Sequence, residues 1–92
     1  HMLCMQVAGE NEELMSRIMD AIAGSVQKHF GEAAEIIGPV PAPVYKVHDI
    51  YRKILYMKHE NYDILIKIQK YVKMRWDETE SCKKLTLQCD FI

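Results

Sequence analysis

At 92 residues the chain has room for one small domain with a modest core. Hydrophobic residues make up 49% and charged residues 27%, a globular balance that excludes disordered and low-complexity classes. The net charge of −1 is unevenly spread: −4 over residues 1–44, +5 over residues 45–76 and −2 over residues 77–92, so only the middle of the chain offers an anion-binding surface.

His1-Met2 reads as a cloning remnant, leaving 3–92 as a single domain cut from a longer protein. Leu3, Met5 and Val7 alternate with Cys4, Gln6 and Ala8, which predicts a short strand with one buried side. Gly9-Glu10-Asn11 breaks it. Asn11 suits a helix N-cap, and Glu12 and Glu13 fall in the first turn, where the helix dipole favours acids. Leu14, Ile18, Ile22 and Val26 then recur every four residues, predicting an amphipathic helix over about 12–29 stopped by Gly31.

Glu35-Ile36-Ile37 predicts a brief strand ending at Gly38. All three prolines follow within five residues, Pro39, Pro41 and Pro43. Proline fixes φ and removes a donor, so this run predicts a polyproline II-like spacer, neither helix nor central strand. Lys46 to Lys58 is rich in β-branched and aromatic residues and predicts one long strand. One of its faces carries Tyr51, Lys53, Leu55 and Met57, the other Arg52, Ile54, Tyr56 and Lys58. Neither is purely apolar, so the pattern leaves open which is inside.

His59-Glu60-Asn61 turns the chain. A second amphipathic helix follows over 61–76, with Ile64, Leu65, Ile68, Tyr71, Val72 and Trp76 on its apolar stripe and Lys67, Lys70 and Lys73 off it. Residues 77–84 read as a loop. Leu85, Leu87, Cys89 and Phe91 then alternate with polar residues in a final strand. The order β-α-β-β-α-β predicts an α+β, ferredoxin-like fold, a four-stranded antiparallel sheet with two helices on one face.

Three cysteines, Cys4, Cys82 and Cys89, lack the spacing of a disulfide framework or a zinc site and point to a reducing, cytoplasmic compartment. No apolar run reaches the roughly 18–20 residues of a membrane span. Phosphate loops, zinc-protease motifs and nucleophile elbows are absent from the sequence, so catalysis by this chain is not expected.

Three stretches, IIGPVPAPVYK (36–46), DIYRKILYMK (49–58) and KKLTLQCDF (83–91), resemble the C-terminal domains of primosomal protein N′, a superfamily 2 DNA helicase of bacterial replication restart. Gly38, Pro39, Pro41, Ala42 and Pro43 match that family's Gly-Pro-x-Pro-Ala-Pro element. Tyr51, Arg52, Leu55 and Lys58 match its following strand, and Asp90-Phe91 the start of its closing motif. The chain departs from the pattern at Lys53, where members often carry an aromatic, at Ile54, and at Ile92, where an acid or Asn stands. The resemblance implies a fold similar to ribosomal protein S10. It implies a module that helps grip forked or single-stranded DNA, docks the helicase core of the same chain and contributes to the surface for the acidic tail of single-stranded DNA-binding protein. ATP, Mg and Zn would belong only to the parent's other domains.

The residues that suit such a role are Arg52, Lys58, Lys53 and Tyr51 on the long strand, Tyr45 and Lys46 just before it, and Lys67 and Lys70 on the second helix. Basic side chains interleaved with aromatics suit nucleic-acid backbones and unstacked bases. The same cations suit carboxylates, so DNA binding and docking of an acidic peptide both remain open, as does an RNA-binding or regulatory domain unrelated to helicases. By parity Arg52 and Lys58 share one face while Lys53 and Tyr51 share the other, and one surface cannot use both sets.

Overall fold

A computed structural model describes residues 1–31 and 34–92. Strand β1 spans Met2–Gly9, helix α1 Glu12–Phe30, strand β2 Glu35–Val47, strand β3 Ile50–Lys58, helix α2 Tyr62–Glu78 and strand β4 Thr86–Phe91. A 3-10 turn at Glu80–Lys84 joins α2 to β4 where a plain loop was expected. The four strands form one antiparallel sheet in the order β2-β3-β1-β4, with both helices packed on the same face. This is the split βαβ arrangement that the element order predicts.

Both helices start as the sequence dictates. The Leu14 N–H donates to Asn11 Oδ1 at 3.0 Å, and the Asp63 N–H donates to Asn61 Oδ1 at 2.9 Å. Each cap satisfies a donor that the first turn leaves without an intrahelical partner. Gly31 ends α1 at φ 70° and returns its N–H to the Gln27 carbonyl. The core lies between the sheet and the helices. Leu3, Met5 and Val7 of β1, Leu55 and Met57 of β3, Met15, Met19 and Val26 of α1, and Leu65, Ile68 and Val72 of α2 are all buried. Alternation puts every second residue of β1 and β3 into this layer, so the intervening residues must point the other way. A hydroxyl–hydroxyl hydrogen bond between Ser25 and Tyr71 ties the two helices together.

The proline segment is the main departure from expectation. Residues 38–43 are no spacer: they run inside β2, a 13-residue strand at the sheet edge. The ladder to β3 slips between the Ile37 and Val40 pairings, and again between those of Pro41 and Lys46. An edge strand has one side without a ladder partner, and prolines are tolerated at edges and bulges, where a missing donor need not break the ladder. The first slip places one extra residue in β2, as a β-bulge does, and the second places three; such irregularities blunt the edge against further pairing. Gly38, at φ 106°, sits in the first of them. A Cβ there would lie 2.9 Å from the Ile54 carbonyl oxygen and 2.9 Å from the Val40 nitrogen. Glycine is required by both the backbone angle and the approach of β3.

The long strand predicted from Lys46 is also divided. Lys46 and Val47 close β2, and a two-residue turn at His48-Asp49 opens β3 at Ile50. Both turn residues have positive φ, 52° and 44°, the conformation of a type I′ hairpin whose twist matches that of the strands. The tight β2–β3 hairpin therefore lies after the prolines.

Candidate functional site

Two faces of the sheet have different fates. The helices cover the face of Leu3, Met5, Val7, Leu55 and Met57. They leave the opposite face open. Cross-strand register orders that face into rows, because directly paired residues project to the same side. Ile37, Tyr56, Cys4 and Asp90 form one row across all four strands, and Val40, Ile54, Gln6 and Gln88 form the next. Arg52, Ala8 and Thr86 bound them at one end, and Glu35, Lys58 and Met2 at the other. Arg52 and Lys58 thus stand at opposite ends of one apolar floor, with Ile54 and Tyr56 between them. Ile54 is only 6% exposed although it lies outside the main core, so the floor is itself well packed.

The other predicted residues are divided among different surfaces. Lys53 lies on the helix-covered side, where its Nζ donates to Ser16 Oγ of α1 at 2.8 Å. Tyr51 shares that side, half-buried at the margin of the core. Its ring meets Tyr45 edge-on at 5.5 Å between centroids, and Lys46 Nζ sits 5.0 Å from the same ring. Tyr45, Lys46 and Tyr51 therefore make a cluster at the hairpin, built from cation–π and aromatic contacts, with Lys53 on the same side of β3. Lys67 and Lys70 are exposed on α2, in the helix layer. The structure brings Arg52 and Lys58 onto one surface and places the remaining six elsewhere.

Gln6 and Gln88 join the open face as a pair of amides that the sequence reading did not single out, although the alternation of β1 and β4 already assigned them to the polar side. A second feature also went unread. Between α1 and α2 runs an apolar groove of about 140 Å³, lined among others by Ile18, Ile22, Trp76 and Arg75. Trp76 packs at the edge of the core, as its position on the apolar stripe of α2 predicts.

The surroundings of the three thiols disfavour the thiolate. Burial pushes the Cys4 thiol up, and the neighbouring Asp90 carboxylate adds to the shift. Burial likewise raises Cys82 and Cys89. All three are held as neutral thiols near pH 7, and thiolate is the reactive form. Among the described residues no cluster of His, Cys, Asp and Glu has the makings of a metal site. No helix is long and apolar enough to cross a membrane.

The family model described as the primosomal protein N C-terminal domain matches residues 1–91. The chain belongs to that family. Membership sets it in the context of DNA replication and the primosome. Solved structures match the fold of this primosomal domain at low identity. A de novo designed protein, Foldit4, superimposes with a TM-score of 0.72 at 11% identity, over 99% of this chain and 96% of that one. A dimeric ferredoxin-like protein from an uncultured marine organism gives a TM-score of 0.58 at 9% identity, over 97% of this chain and 90% of that one. At such identities the likeness speaks to the fold, which is ferredoxin-like as the element order predicts. Comparison with curated protein sequences returns no match.

Proposed function

We propose that this domain grips forked or single-stranded DNA, as a cytoplasmic accessory module of an ATP-dependent helicase acting in replication restart. The nucleotide and metal chemistry would belong to other parts of that helicase. The observation that carries the reading is that Arg52 and Lys58 project with Tyr56 from the one sheet face the helices leave uncovered. Guanidinium and ammonium groups hold phosphate oxygens without regard to sequence, which suits a module that meets any stalled fork.

Two phosphate contacts on a single strand give a slope of about −1.4 in log affinity against log salt. Fluorescence anisotropy of labelled single-stranded and forked DNA at two salt concentrations tests this. Binding that weakens with salt at about that slope supports the reading. No binding at low salt would rule out DNA binding by the domain alone.

A second reading is favoured by the groove between the helices. Its apolar lining and the exposed Arg75 suit a short peptide that combines hydrophobic and acidic residues, as the tail of a single-stranded DNA-binding protein would. Arg75→Ala should weaken such a peptide and leave DNA binding unchanged, because Arg75 lies in the helix layer.

A further inference from the structure

We propose that the open sheet face selects an unpaired strand over a duplex by laying a base against Tyr56, with Arg52 and Lys58 on phosphates further along the strand to either side. The proposal rests on the DNA-binding reading above and sharpens it.

The spacing is set by the strand. Arg52, Ile54, Tyr56 and Lys58 occupy alternate positions of β3, so they rise from one face at intervals of about 7 Å. Across the sheet Tyr56 lies between Ile37 and Cys4, and Ile54 between Val40 and Gln6. The centre of the face is therefore apolar and aromatic, with the Gln6 and Gln88 amides to one side and a cation only at each end. A duplex places its phosphates outermost and hides the faces of its bases in the stack. It would set its charged backbone over an apolar floor and gain nothing from Tyr56. An unstacked base has a face to offer the Tyr56 ring and an edge for the amides.

The acids refine the placement. Glu35 is paired across the ladder with Lys58 and offsets its charge, whereas Arg52 is paired with Ala8. Asp90 lies beyond Cys4 in the Tyr56 row and repels phosphate from the β4 side. Arg52 is thus the stronger of the two phosphate positions, and Arg52→Ala should cost more affinity than Lys58→Ala.

The test uses anisotropy with three probes: a labelled oligo-dT strand, an abasic strand of the same length, and a blunt duplex. Tyr56→Leu should weaken oligo-dT about tenfold, within the range of base–aromatic stacking. Tyr56→Phe should bind as the wild type does. The wild type should prefer oligo-dT to the abasic strand, and Tyr56→Leu should remove that preference. The proposal is overturned if Tyr56→Leu binds oligo-dT as tightly as the wild type, or if it loses strand and duplex in equal measure. Should Tyr56→Leu not fold, as judged by circular dichroism, the wild type decides alone: equal binding of oligo-dT and abasic strand overturns stacking. In those outcomes salt-sensitive binding that needs Arg52 would still stand. A wild type that binds no DNA overturns both readings together.

Discussion

Lys53 Nζ donates to Ser16 Oγ at 2.8 Å, so the cation at the middle of the basic strand is tied to α1 while its neighbours Arg52 and Ile54 face the other way. Lys53 carries its charge over the rim of the core on an apolar stem, as long basic side chains do. It is a structural residue by this geometry. Lys53→Met should change the unfolding free energy by no more than about 1 kcal/mol, since the part-buried bond it loses has a small net value and the stem is preserved. DNA affinity should stay near that of the wild type. A loss of affinity as large as that of Arg52→Ala would mean that the two faces have been assigned wrongly.

Glycine positions divide in the same testable way. Gly38→Ala places a Cβ against the β3 backbone at a positive φ and should destabilise by about 2 kcal/mol or more. Gly24, exposed in the middle of α1, has open space where a Cβ would go. Gly24→Ala should stabilise by about 0.5–1 kcal/mol. Urea denaturation of the two variants checks both signs, and an equal response would contradict the bulge geometry at Gly38.

The hairpin is strained by its residues. His48 and Asp49 both adopt left-handed angles, where glycine and asparagine fit type I′ turns better. Asp49→Gly should raise stability by up to about 1 kcal/mol with the fold unchanged, read as a higher midpoint at the same denaturant slope.

How far the fold was legible follows from where each signal lies. Alternation in β1 and β4 and the cap at Asn11 are local signals that the sequence carries on its face, whereas the cap at Asn61 reads there only as part of a turn. The prolines read locally as a spacer because tolerance of three missing donors depends on β2 lying at the edge, and strand order in a sheet is not a local property. The turn at His48-Asp49 escaped because it lacks the glycine that marks most two-residue hairpins. At the site, parity separated Arg52 and Lys58 from Lys53 and Tyr51. Which pair faces out was decided by packing, since Leu55 and Met57 fill the core under α1 and α2 while Ile54 and Tyr56 do not.

The thiols give a pH prediction. Burial raises Cys4, Cys82 and Cys89 in the folded state, so their neutral forms favour folding. That contribution is fully present below the ordinary thiol value of about 8.5. It is lost as pH rises through the higher folded values, because the unfolded chain releases its thiol protons first. Denaturation midpoints should fall above about pH 8.5, and the fall should be shallower in Cys4→Ala and Cys89→Ala. An identical profile in these variants would contradict the shifts.

The central claim is that the uncovered sheet face, and not the lysine side of α2, meets DNA. Backbone amide shifts of the 15N-labelled domain titrated with oligo-dT test it most directly. The account predicts changes clustered at Cys4, Gln6, Arg52, Ile54, Tyr56 and Lys58, with the amides around Lys67 and Lys70 unmoved. Changes centred on Lys67, Lys70 and Lys73, with β3 silent, would contradict it.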